Sequence, residues 1–97
     1  NDLTYKIMVL LSYDISDDKL RRRFSKFIER FGHRIQYSVF EIDNSNAILD
    51  NIITEIDNTF GKQFTQNDSI IVCKIKHDND IIKYGFARYE DEDIIII

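Results

Sequence analysis

A chain of 97 residues with 43% hydrophobic content and one cysteine has room for a single small core. A chain of this length buries only about 60–65% of its unfolded surface, so one domain over residues 1–97 is expected, its core at about 5–76. Cys73 alone excludes an internal disulfide and suggests a reducing compartment, and no apolar run approaches the roughly 18 residues that span a bilayer; a cytoplasmic protein with no membrane partner follows.

Residues 5–13 (YKIMVLLSY) form a nearly continuous apolar run, the pattern of a strand buried on both faces. Ser16 or Asp17 caps the helix that follows, and Asp17 and Asp18 suit its first turn. Leu20, Phe24, Phe27, Ile28 and Phe31 fall on one helix face, and Gly32 stands where a C-terminal cap belongs. Residues 33–43 read as strand, either one bent strand or two short ones joined near Phe40 and Glu41. Asn44, Ser45 and Asn46 then offer caps for a second helix, whose inner face is Ile48, Leu49, Ile52, Ile53, Ile56 and Phe60 and whose end is Gly61. Residues 69–76 (SIIVCKIK) read as a strand, and residues 81–89 alternate as a further one before the tail DEDIIII. The order fits an α+β fold, a ferredoxin-like βαββαβ sandwich with an additional C-terminal strand and the first strand in mid-sheet. Its uncovered sheet face makes a homodimer the natural arrangement, with residues 81–97 exchanged between partners.

The net charge is −4, yet the charges are segregated. From Lys19 to Arg34 there are seven basic residues and one acid, Glu29, a local balance of +6. On a helical wheel Lys19, Arg22, Arg23, Lys26 and Arg30 lie within about 100° of one another beside the apolar face, with Arg21 on the opposite flank. A charge run is more often a solvated surface, but soluble faces normally mix signs. A local basic field attracts phosphate despite an acidic total. Asp14 ends the first strand, where a carboxylate either hydrogen-bonds the turn into the helix or holds a hard cation such as Mg²⁺. One Asp per chain is a thin site unless a two-fold axis supplies a second copy.

Other chemistry finds little support. His33 and His77 have no ligand partners at zinc spacing, and Ser12, Ser16 and Ser38 have no His–Asp partners. Three glycines build no phosphate loop, and no aromatic RNA-reading motif lies on a central strand.

The strand end Tyr13-Asp14-Ile15, the helix with Arg21 and Arg23, and GHRIQYSVFE at residues 32–41 resemble the small CRISPR-associated protein family Cas-two. The resemblance implies a ferredoxin-like homodimer at the centre of the adaptation complex with the CRISPR integrase (Cas-one), where duplex DNA is captured and inserted into the array. It implies Asp14 as metal ligand and catalytic carboxylate in members that cleave RNA or DNA with a divalent metal. It places Arg21, Arg23, Arg34 and Phe40 at the remaining motif positions, with Tyr13 beside the Asp. The expected nucleic-acid-binding residues are therefore Lys19, Arg21, Arg22, Arg23, Lys26, Arg30 and Arg34. Two rivals share the fold: a toxin-type, virulence-associated endoribonuclease with a similar early Asp, and a regulatory domain binding a small metabolite in a cleft.

Overall fold

The computed structural model of the chain describes residues 8–42, 46–76 and 80–85. Strand β1 (Met8–Asp14) runs through the middle of the sheet. Val9, Leu11 and Tyr13 are buried under the helices, while Met8, Leu10 and Ser12 are only half-buried on the other face. The apolar run therefore does not mark a strand covered on both sides. Among the described residues its second face is only partly covered.

Helix α1 (Asp18–Glu29) begins at the N-cap Asp17, whose carboxylate accepts from the Leu20 N–H at 2.8 Å. Leu20, Phe24 and Ile28 are buried along one stripe. The helix ends at Arg30 rather than at Gly32, which is the first residue of β2 (Gly32–Gln36). Gly32 is there for space: a Cβ would lie 2.8 Å from the Ile42 Cα and meet the Glu41 carbonyl. Strand β3 (Val39–Ile42) follows after a two-residue turn at Tyr37 and Ser38. Residues 33–42 are thus two strands, and the break precedes Phe40 rather than falling beside it. The register slips by one between Arg34 and Gln36, a bulge that increases local twist.

Helix α2 (Asn46–Glu55) buries Leu49 and Ile52. The chain then widens into a π turn over Ile56–Phe60 and tightens into a 3₁₀ turn over Gly61–Gln63, so the helix does not continue evenly to Gly61. Strand β4 (Ser69–Ile75) pairs antiparallel with β1 from Tyr13↔Ile70 to Met8↔Ile75. The sheet order is β2-β3-β1-β4, all antiparallel, with the first strand central as expected. This is the α+β, ferredoxin-like arrangement.

Between sheet and helices lies one aromatic core. The Phe24 ring meets Tyr13 edge-on at 5.2 Å and Phe60 at 5.1 Å. Residues 81–84 form no strand, and Gly85 sits in a turn with φ +71°. The further strand expected at 81–89 is absent over its described part, because the alternation of 81–84 finds no ladder partner among the described residues. Instead Lys83 Nζ reaches Glu41 Oε1 at 2.7 Å, on the sheet face away from the helices. Residues 86–97, including Ile94 to Ile97, lie outside the described residues, as do 1–7, 43–45 and 77–79.

Candidate functional site

Asp14 stands at the exposed end of β1, paired in register with Ser69. Among the described residues nothing engages its carboxylate by hydrogen bond or ion pair. The hydrogen-bonding role at the entry to α1 belongs to Asp68 instead. Its Oδ1 accepts from the Ser16 N–H and the Ser16 hydroxyl, both at 2.9 Å, and its Oδ2 from the Thr65 N–H at 2.8 Å. The Thr65 N–H, followed by the Ser16 N–H, holds the Asp68 carboxyl down at about 2. No group of three or more His, Cys, Asp or Glu side chains able to hold a metal occurs among the described residues. One carboxylate fits a hard cation only as part of a shared site, since Mg²⁺ commonly takes one or two carboxylates with water and phosphate oxygens.

Helix α1 presents its basic residues as the wheel requires. Lys19, Arg22, Arg23, Lys26 and Arg30 are all exposed. Arg23 donates from Nη2 to Gln63 Oε1 at 2.9 Å, and the Arg30 guanidinium lies 5.4 Å from the Phe31 ring centroid. Lys19, Arg22 and Lys26 make no side-chain hydrogen bond or ion pair among the described residues, though, after the Arg21 hydrogen bond, the Arg22 charge helps to lower the Asp18 carboxyl. An exposed row of cations with so few internal anions keeps its field for a ligand.

Arg21 and Arg34 stand elsewhere, on the flank of α1 that faces the β2–β3 turn. Arg21 donates from Nη1 to the Ile15 carbonyl at 3.1 Å and from Nη2 to the Asp18 carboxylate. That second bond lowers the Asp18 carboxyl and raises the Arg21 guanidinium, with the Tyr37 phenol pushing Arg21 the same way. Arg34 donates to the Tyr37 carbonyl, to Ser25 Oγ at 2.6 Å and to Glu29 at 3.4 Å, and its guanidinium lies 4.8 Å from the Phe40 ring centroid. Phe40 is fully buried and Tyr13 nearly so, their rings stacked at 6.2 Å. The structure therefore divides the expected residues into three places: Asp14 at the strand end, five cations along the helix, and Arg21 with Arg34, Tyr13 and Phe40 around the turn.

Three contributors escaped the sequence reading. Ser25 and Tyr37 frame Arg21 and Arg34, and Asp68 fixes the loop beside Asp14. Only tertiary contact reveals them, since Ser25 and Arg34 are nine positions apart and Ser16 and Asp68 fifty-two.

A family model described as CRISPR associated protein Cas2 matches residues 7–80. The CRISPR-associated endoribonuclease Cas2 of Mycobacterium tuberculosis is 32% identical over 83 residues, 86% of this chain and 70% of the relative. A crystal structure of Cas2 superposes over 94% of this chain and 98% of its own with a TM-score of 0.67 at 23% identity. Streptococcus pyogenes Cas2, in a crystal structure at pH 6.5, matches with a TM-score of 0.62 at 25% identity, over 80% of this chain and 99% of its own.

Proposed function

The chain belongs to the CRISPR-associated Cas2 family, and from that premise we propose that it is a homodimeric subunit of the adaptation complex, binding duplex DNA as a scaffold for the integrase during spacer acquisition. The observation that carries this is the row Lys19, Arg22, Arg23, Lys26 and Arg30, exposed along one helix while the chain as a whole is acidic. Such a row neutralises successive phosphates, positions a backbone and reads no sequence. The test is a salt-titrated binding assay on duplex DNA and single-stranded RNA with the purified protein and with an Arg22→Glu/Lys26→Glu variant. Weaker binding to all sequences is expected, with the salt slope reduced by about 0.9 per lost phosphate contact. Unchanged affinity and slope would overturn the scaffold reading.

A second activity has its own support. The Mycobacterium tuberculosis relative is called an endoribonuclease, and Asp14 is exposed and unengaged among the described residues. Two copies of Asp14 facing each other across a dimer axis would hold Mg²⁺ together with substrate phosphate. Mg²⁺ in such a place polarises a phosphoryl oxygen and lowers the pKa of bound water. The contribution of this chain is to keep the carboxylate free, by giving the loop hydrogen bonds to Asp68. Asp14→Asn should abolish divalent-dependent cleavage of RNA or DNA and leave duplex binding unchanged. Cleavage by a rigorously purified variant would remove Asp14 from the chemistry. A toxin-type endoribonuclease would use an early Asp in the same way, but the family match over residues 7–80 favours the adaptation subunit.

A further inference from the structure

We propose that the hollow between α1 and the β2–β3 turn is a binding pocket for a phosphomonoester carried on a nucleoside. It has a volume of about 300 Å³ and is lined by Tyr13, Arg21, Arg22, Ser25, Arg34 and Tyr37. The inference deepens the nucleic-acid reading and rests on it.

Three guanidiniums from two elements converge on this hollow. Two are braced from behind. Arg21 gives one N–H to the Ile15 carbonyl and one to Asp18. Arg34 gives its bonds to the Tyr37 carbonyl, Ser25 and Glu29. A guanidinium carries five N–H donors, so both retain unspent donors in a fixed orientation. Arg22 makes no hydrogen bond or ion pair among the described residues, its charge only adding to the Arg21 hydrogen bond in lowering the nearby Asp18 carboxyl. Against three cations stand two carboxylates, Asp18 and Glu29, both more than half exposed on the outer side. The hollow therefore has a cationic surplus and preset forks that match phosphate oxygens.

Its small volume and convergent cations suit a strand end better than a running backbone. A diester within a strand must enter and leave, which suits the open row on the outer face of α1. A pocket of this volume lies at the small end of the range of roughly 300–1,000 Å³ for ligand sites, enough for one nucleotide. A monoester also brings more negative charge than a diester. The rest of the lining fits a nucleoside. Tyr37 is 74% exposed at the rim, where its ring offers a stacking surface for a base. The ligand comes from a strand end seated beside the duplex, or from a free nucleotide.

Fluorescence anisotropy on the purified protein separates these cases. The probes are one short duplex with phosphorylated ends, the same duplex with hydroxyl ends, and AMP and inorganic phosphate as competitors. The phosphorylated duplex should bind about tenfold tighter, the worth of one well-made charge-assisted hydrogen bond. Arg22→Gln and Tyr37→Ala, both at exposed positions, should erase that ratio while circular dichroism and melting stay unchanged. Lys26→Gln should weaken both duplexes equally and preserve the ratio. Competition by AMP well beyond inorganic phosphate identifies the free nucleotide as a ligand; tight binding of the phosphorylated duplex without it identifies the strand end. Equal affinity for the two duplexes together with no saturable AMP binding overturns the pocket and leaves the scaffold reading standing. Saturable AMP binding lost in Tyr37→Ala, with no duplex bound, supports the pocket and overturns the scaffold. Binding of neither ligand overturns both.

Discussion

Arg34 shows how a basic residue can be legible in type while its bracing contacts are not. Its position in the motif marks it as cationic, and part of its guanidinium is engaged by Ser25, Glu29 and the Tyr37 carbonyl over the Phe40 ring. Lysine keeps the charge and loses the planar fork. Arg34→Lys should therefore lower stability by about 1–2 kcal/mol, the range of one or two net hydrogen bonds, and urea denaturation will measure it. A variant as stable as the parent would mean that the clamp is idle. Asp68 carries the pH dependence. Its carboxyl lies at about 2, below the ordinary 3.8, because the Thr65 and Ser16 N–H groups stabilise the anion. A depressed folded value stabilises above the unfolded value and ceases to do so as pH falls through the folded one. Asp68→Asn should melt lower than the parent above pH 3.8, with the gap closing as pH falls through about 2. A gap that is constant with pH would remove the ionised clasp. Each role joins a near neighbour to a partner on another element: Thr65 and Ser16 for Asp68, Tyr37 and Ser25 for Arg34.

At the scale of elements, helix α1 was the most legible part of the chain. Apolar spacing set its buried stripe, and the same periodicity put five cations on the opposite side. The β2–β3 hairpin was harder. Its two-residue turn is Tyr37-Ser38, with neither Gly, Pro nor Asn to announce it, and Arg34 on the adjoining strand bonds the Tyr37 carbonyl. Gly32 was noticed for the wrong reason. It admits the β3 backbone rather than ending the helix, and Gly32→Ala should cost about 1–3 kcal/mol as an overpacked contact. Urea melts will check this; a neutral alanine would show that the β2–β3 spacing can relax.

For the molecule as a whole, the surfaces that bear on assembly are the partly covered sheet face and the β4 edge. Ile71 is 60% exposed on β4, and beyond the sheet Ile82 is 74% and Tyr84 85% exposed. Lys83 meanwhile ties this segment to Glu41, whose side chain is only 8% exposed. An edge unpaired among the described residues and apolar side chains in solvent are liabilities that a second copy would cover. Removing residues 81–97 should turn a dimer into monomer or aggregate and lower the melting temperature, read by static light scattering and calorimetry. A truncated chain that remains a well-behaved dimer would show that the exchanged segment does not hold the partners together. Among the described residues no helix is long and apolar enough to cross a membrane.

Periodicity, capping residues and charge spacing are local, and they determined the element order, the central first strand, the cationic row and the carboxylate at the strand end. What needed the tertiary structure were relations between segments far apart in the chain. Packing turned Arg21 and Arg34 from members of a basic run into braced walls of a pocket, because Tyr37 and Ser25 meet them only when β2 lies against α1. Among the described residues it also left Asp14 unengaged and gave the neighbouring loop the Asp68 clasp, since a hydrogen bond spanning fifty-two positions leaves no trace in local pattern.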